Sequence, residues 1–239
     1  MEIEQAWSTP IAKLHIGLPL EMRAVLVRLL MKQVGVLTEN TYDAVNKEDG
    51  INAFNDSLIN LFDYSNSSYS DKCVEYLQRF EQIASEHIRN YIEQAWGLDR
   101  DSEIKIRGFG NIQRTLGRRT GLHHHHGWDG VFLHYLTVGG EDDLLSVELE
   151  DWDFYHRPYH TDYSGDLIMV DPRGPIKMPY NEKAKTFKPE IGLTLIHPAY
   201  LWHETHTHTG IGTRVGIVIN FNITNKNVDQ LPTTLVRAQ

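Results

Sequence analysis

The apolar positions of this chain keep two rhythms, and the change falls near Gly97. From Pro19 to about Val34, Met22, Val25, Leu26, Leu29 and Leu30 recur at three- and four-residue spacing, which predicts an amphipathic helix closed near Gly35. Asp71 to Trp96 is the clearest helical stretch. Cys73, Tyr76, Leu77, Phe80, Ile83, Ala84, Ile88, Tyr91, Ile92, Ala95 and Trp96 form one stripe, and Gly97 ends it. That stripe reads as core against a sheet, with His87 an ordinary surface or boundary residue. Residues 37–70 are rich in Asn, Asp, Ser and Thr with weak periodicity, which predicts a loop holding one short helix around Leu58 to Phe62. Ahead of the helices, Trp7-Ser8-Thr9-Pro10-Ile11-Ala12 reads as a short extended entry, because a residue before proline is pushed out of the helical region.

After Gly97 the period falls to two. Ile104, Ile106, Phe109 and Ile112 lie in a strand-like run interrupted by Gly108 and Gly110. Val131–Val138, Leu144–Leu149, Leu167–Val170, Leu193–Ile196 and Arg214–Ile223 are further strands, separated by Gly, Pro and Asn signals. Asp151 to Tyr163 is polar and aromatic, an exposed loop suited to covering a pocket and setting substrate choice. Short strands at this rhythm with no helical pattern between them predict a mainly β fold with N-terminal helices: an antiparallel barrel or jelly roll buttressed on one face. The expected organisation is one domain over 1–239, with a helical buttress and entry strand over 1–100, a strand core over 101–224 and a C-terminal tail over 225–239.

Composition narrows the partners. The chain carries 23 basic against 32 acidic residues, a net charge of −9, which argues against nucleic acid or an anionic membrane as the main partner. The one cysteine, Cys73, can form no internal disulfide, and no apolar run approaches the roughly 18 residues of a membrane span. With no basic-plus-apolar leader, the expectation is a soluble cytoplasmic protein whose oligomeric state stays open, a homodimer included.

Candidate chemistry gathers in Gly121-Leu122-His123-His124-His125-His126-Gly127-Trp128-Asp129-Gly130. In an extended segment side chains alternate, so His123 and His125 point one way and His124 and His126 the other. Neutral imidazole is the commonest protein ligand for iron, zinc, copper or nickel, and a same-face His-x-His pair supplies two of the three ligands of a catalytic site. The third candidate is His203, which a proline-containing turn and a short strand deliver downstream. His206 and His208 follow at alternate positions and read as surface residues. His203-Glu204-Thr205-His206 is one residue short of a zinc peptidase motif, and its β-branched threonine disfavours the helix that motif needs.

Eleven residues after His203 comes Arg214, heading a strand whose Val215, Ile217, Ile219 and Phe221 form one face and Arg214, Gly216, Val218 and Asn220 the other. An arginine on the less bulky face suits a cavity holding a carboxylate, since a guanidinium grips it with a two-pronged fork. An edge arginine in solvent or a structural ion pair is the plain alternative.

His-x-His before a strand, Gly-Asp-Leu-Ile-Met-Val-Asp-Pro-Arg at 165–173, then His203 with Arg214 in the final strand, together resemble the 2-oxoglutarate/Fe(II)-dependent oxygenases of phage and marine bacterial type. The likeness spans roughly residues 105–224, and the opening Ser-Thr-Pro-Ile-Ala also looks like that family's N-terminal signature. The resemblance implies a double-stranded β-helix, cupin-like in outline, with iron at one open end. It implies Fe(II), 2-oxoglutarate and O2 as cofactors, with ascorbate as an accessory reductant, and a ferryl oxidant that hydroxylates a small-molecule, amino-acid or peptide-type substrate. It also implies that Arg214 pairs with the far carboxylate of 2-oxoglutarate, with Asn220 on the same face as a second candidate cofactor-binding residue.

One departure separates this chain from the wider superfamily, which uses His-x-Asp or His-x-Glu plus a distal histidine. Here His125 stands in the acid's place, so the candidate ligands are three histidines, or two histidines with Asp129 folded inward after Gly127. A third arrangement takes His125-His126-Gly127 as the His-x-Gly of the related radical halogenases. A cupin-type dioxygenase or isomerase that does not use 2-oxoglutarate is a further alternative, on the spacing of Gly117 to His123 and of Gly192 to His203. A non-catalytic binding barrel, with Trp152, Phe154, Tyr155, Tyr159 and Tyr163 as its platform, is the last.

Overall fold

A computed structural model describes residues 9–40, 60–65, 69–113, 119–140, 165–173, 183–209 and 212–224. Its helices are α1 (Leu20–Asn40) and α2 (Asp71–Trp96). Its strands are β1 (Ala12–His15), β2 (Ile104–Gln113), β3 (Gly130–Val138), β4 (Leu167–Val170), β5 (Ala184–Phe187), β6 (Leu193–Pro198), β7 (His203–Thr205) and β8 (Arg214–Ile223). They form a five-stranded sheet in the order β1-β6-β3-β8-β2 and a three-stranded sheet in the order β5-β4-β7. Every pairing is antiparallel. Among the described residues no helix is long and apolar enough to cross a membrane.

The period-two pattern decides which way each strand faces. On β8, Val215, Ile217, Ile219 and Phe221 join Ile112, Phe132, Leu136 and Ile196 in a core shared with both helices. Phe80 of α2 meets Phe132 edge-on at 6.2 Å, and Trp96 lies 5.9 Å from Phe221. Phe80 is fully buried, so emptying its site would cost about 3–5 kcal/mol. The helices therefore buttress one face of the large sheet, as the helical stripes predict. The other face meets the small sheet through Tyr135, Leu193 and Leu195 against Leu167, Met169 and Phe187.

The boundaries of α2 are those of its signals. The Ser70 hydroxyl accepts from the Cys73 N–H, and Gly97 takes the left-handed conformation at φ 66° while its N–H donates to the Glu93 carbonyl. Elsewhere the sequence reading needs correction. α1 does not close at Gly35 but runs to Asn40. A single interior glycine costs about 1 kcal/mol, which a helix anchored by buried Met22, Leu26, Leu29 and Leu30 absorbs. Of the short helix expected around Leu58 to Phe62, only residues 60–62 are described, and there Leu61 and Phe62, both buried, form a turn. It is held by hydrogen bonds from the Leu61 N–H to the Gly108 carbonyl and from the Gly108 N–H to Asn60 Oδ1.

Gly108 and Gly110 do not interrupt β2. A Cβ on Gly108 would lie 2.5 Å from the Phe62 ring, and one on Gly110 would lie 2.7 Å from a Leu30 methyl, so the glycines admit the buttress close to the sheet. β5 was not expected: three of its four residues are exposed and only Phe187 is buried, so pairing with β4 makes it a strand, not an apolar pattern. The expected strand at 144–149, the loop at 151–163 with its aromatic platform, Gly117 and the tail at 225–239 lie outside the described residues.

Candidate functional site

The site forms where the loop after Thr120 runs beside β7. The His123 N–H donates to the His203 carbonyl at 2.9 Å, and the His203 N–H returns to His123 at 2.8 Å. Directly opposed residues of an antiparallel pair send their side chains to the same side. The two imidazoles emerge together, with ring centroids 4.3 Å apart. His125, two residues on, returns to the same face, and its Nε2 lies 3.3 Å from His203 Nε2. Ligand atoms of His123, His125 and His203 all fall within 4.8 Å of one another. His124 turns the other way, onto the ring of Trp202 at 4.5 Å, with His126 beside it. The alternation read from the sequence holds.

The donor set suits a divalent metal. His123 Nδ1 lies 2.8 Å from the Gly121 carbonyl, and His203 Nδ1 lies 2.9 Å from that of Leu201. A carbonyl only accepts, so each Nδ1 carries the proton and each Nε2 presents a lone pair. Burial, followed by the neighbouring histidines, pulls His203 down to about 2 and His125 to about 3, so both rings are neutral near pH 7.

Asp129 is not part of this cluster. Its carboxylate accepts from the Ile223 N–H at 2.8 Å, and its own N–H and carbonyl pair with Phe221 and Ala199. Those bonds fasten it to the C-terminal end of β8, and its carboxylate is not among the ligand atoms that cluster with those of His123, His125 and His203. His208 also departs from its surface reading. It is buried with Nε2 3.1 Å from the Gly212 carbonyl, and burial holds it down at about 4. His206 is half-buried near Asp166, and His87 is half-buried as expected.

A cavity of about 390 Å³ opens from the histidines between the sheets, and Arg214 closes its far end. Arg214 is 2 % exposed. Its Nη1 donates to the Gly165 carbonyl, Nη2 lies 3.4 Å from Asn111 Oδ1, and the guanidinium carbon sits 5.5 Å from the Tyr135 ring centre. Gly165 has φ +67°, and a Cβ there would come within 3.1 Å of Arg214 Nη1, so glycine is needed for both conformation and approach. Arg214 Nε and the Tyr135 hydroxyl are buried without hydrogen-bond partners. In a finished site such groups meet a ligand or water. Burial lowers the Arg214 pKa and raises that of Tyr135.

Strand register explains how the cavity floor is laid. Arg107, Asn220, Val131 and His197 stand side by side across β2, β8, β3 and β6. The next inward-facing row is Phe109, Val218, Leu133 and Leu195, and beyond it come Asn111, Gly216 and Tyr135 on the way to Arg214. The floor is thus banded polar, apolar, polar. Asn220 belongs to the band nearest His125, six residues along β8 from Arg214, and does not line the cavity. His197 and Tyr135 were not singled out from the sequence. His197 is fully buried, its ring 5.2 Å from that of His203, with Nδ1 on the Pro198 carbonyl and Nε2 without a partner. A histidine following the strand residues Leu193, Leu195 and Ile196 was the available signal.

No family model matches the sequence, and no curated protein matches it. Among solved structures the chain resembles AviO1 from Streptomyces viridochromogenes Tue57, at 12% identity, 90% coverage of each chain and a TM-score of 0.53. It also resembles a Pseudomonas putida prolyl-4-hydroxylase, at 13% identity, 90% and 86% coverage and a TM-score of 0.48. A third is an oxidoreductase of the 2OG-Fe(II) oxygenase family from Burkholderia pseudomallei, at 13% identity, 63% and 59% coverage and a TM-score of 0.42. At these identities the likeness is one of fold, and the AviO1 match carries it.

Proposed function

We propose that this chain is a 2-oxoglutarate- and Fe(II)-dependent oxygenase on a double-stranded β-helix, hydroxylating a small-molecule, amino-acid or peptide-type substrate. The observation that carries the reading is the cavity itself, with three histidine nitrogens converging at one end and a buried arginine with an unsatisfied donor at the other. His123, His125 and His203 would hold the iron. Arg214 would take the far carboxylate of 2-oxoglutarate, with the Tyr135 hydroxyl beside it. The banded floor supports this fit, because Phe109, Leu133 and Val218 offer apolar cover to the methylenes between two polar ends.

Iron with 2-oxoglutarate bound supplies O2-dependent oxidation of a C–H bond coupled to decarboxylation of the cosubstrate. The chain's own contribution is placement. The carbonyls of Gly121 and Leu201 fix two imidazoles so that their free lone pairs converge. Gly165 and Asn111 hold the guanidinium in the cavity, where low polarity strengthens its pull on a carboxylate. Burial keeps His125 and His203 unprotonated and ready to ligate at neutral pH.

The halogenase-like arrangement leaves a ligand position vacant, and the convergence of His123 with His125 and His203 speaks against it. A cupin that does not use 2-oxoglutarate gives no reason for a buried Arg214. Anaerobic addition of 2-oxoglutarate to the Fe(II)-loaded protein tests the reading. A metal-to-ligand charge-transfer band in the visible is expected, and its absence, with no 2-oxoglutarate binding by calorimetry, overturns the proposal. Screening 2-oxoglutarate turnover against amino acids, peptides and other small molecules then identifies the substrate.

A further inference from the structure

Two of the three cluster histidines have their Nδ1 protons held by backbone carbonyls, and the third does not. His125 faces His203 through Nε2, which leaves Nδ1 as the ring nitrogen without a fixed proton acceptor. Phe109 covers one side of the ring, stacked at 6.4 Å. Asn220 comes up beside it from β8. Register sets Asn220 between Val131 and Arg107 on the inward face, and it is 0 % exposed. Its amide interacts with His125, yet neither Oδ1 nor Nδ2 completes a hydrogen bond.

A fully buried amide with both polar atoms unsatisfied is costly, because each group has lost its water and gained no partner. A short adjustment of the histidine loop onto a metal would relieve it. We infer that Asn220 is the positioning residue for His125, its Oδ1 accepting the Nδ1 proton so that His125 Nε2 is delivered to the metal as a lone pair. The inference rests on the proposed metal site and deepens it. The set becomes consistent: each ligand histidine is oriented by a neutral oxygen, two from the backbone and one from a side chain. Metal loading requires His125 to carry its proton on Nδ1, and Asn220 is the acceptor placed to keep it there. The residue acts through His125 and touches neither cosubstrate nor substrate.

Zn(II) provides a diamagnetic probe. The wild type, Asn220→Leu, Asn220→Ala and Asn220→Asp are compared by Zn(II) calorimetry and by proton NMR of the loaded proteins, with thermal unfolding of the metal-free forms as the folding control. Asn220→Leu and Asn220→Ala are expected to weaken Zn(II) by about 10- to 100-fold and to lose a slowly exchanging His125 Nδ1–H signal. Asn220→Asp, which retains an acceptor, is expected to keep the signal and most of the affinity even if it lowers thermal stability. A packing role predicts the opposite order, since a buried carboxylate disturbs the core more than leucine or alanine does. Equal Zn(II) affinity in all four proteins overturns the inference alone, as does an Asn220→Asp protein weaker than Asn220→Ala. Failure of the wild type to take up Zn(II) overturns the metal site and the inference with it. If Asn220→Leu does not fold, the comparison of alanine with aspartate decides.

Discussion

His123 and His203 exchange backbone hydrogen bonds in both directions, 80 residues apart in sequence. That bridge sets the candidate metal centre, because it fixes two imidazoles on one side of a strand pair and lets alternation bring His125 to the same side. Replacing His123, His125 or His203 by alanine should therefore lower Fe(II) affinity at least about tenfold each, as a ligand is lost outright. His124→Ala should leave it unchanged, since that ring packs on Trp202. Anaerobic calorimetry measures all four. A larger effect from His124→Ala than from the His123 and His125 variants together reverses the face assignment.

At the other end of the cavity, Arg214→Ala should weaken 2-oxoglutarate binding while sparing iron. Truncating a buried charge-assisted partner typically costs about 2–5 kcal/mol, roughly 30- to several-thousand-fold in affinity. Arg214→Lys should recover only part of this, because an ammonium cannot reproduce the fork. Titrating cosubstrate into Fe(II)-loaded variants gives the answer, and equal affinities with and without Arg214 move the cupin reading ahead.

Asp129 offers a control on the ligand set. Asp129→Asn keeps an oxygen to accept from the Ile223 N–H, so both fold and metal affinity should be retained. Asp129→Ala should lower stability by about 1–3 kcal/mol through the orphaned N–H, again with metal affinity retained. A loss of iron in the asparagine variant would return Asp129 to the candidate ligands.

Acid should unfold the chain through its buried neutral histidines. His134 sits between the large sheet and α2, its Nδ1 2.8 Å from Thr194 Oγ1 and its ring 5.4 Å from Phe80. Burial, then the charge of Arg23, pulls it down to about 3. An unfolded histidine titrates near 6.5. Because the folded value is depressed, the neutral ring's contribution is complete above the unfolded value and is lost as pH falls from about 6.5 toward 3. For His134 alone the loss is on the order of 2 kcal/mol at pH 5. Melting temperature against pH should fall more shallowly below pH 6 in His134→Gln than in the wild type, and identical acid limbs would remove His134 from the account.

The sequence by itself determined the helical buttress, the facing of β8 and the pairing of His123 with His125. These follow from local periodicity, which depends on nothing beyond the turn of a helix or the pleat of a strand. Gly97 ended α2 for the same local reason. The chain's own chemistry also made His203 and Arg214 candidates, through a turn-delivered histidine and an arginine opposite an apolar face.

Tertiary structure decided what local pattern could not. Gly35 reads as a stop, yet α1 passes it because the helix is held by the core rather than by propensity. β5 carries no apolar alternation and exists because β4 pairs with it. Asp129 was equally close to His125 in sequence whether it ligated or not, and only the free N–H of Ile223 drew its carboxylate elsewhere. His208 looked like one more polar residue in a loop until the packing around Arg214 enclosed it. His197 and Tyr135 acquired meaning only through register, which aligned strands distant in sequence and set their unpaired polar atoms around one cavity, while Asn220, a candidate from the sequence, was set beside His125 behind it. Alternation assigns a residue to a face, but long-range pairing alone fixes which residue stands beside it.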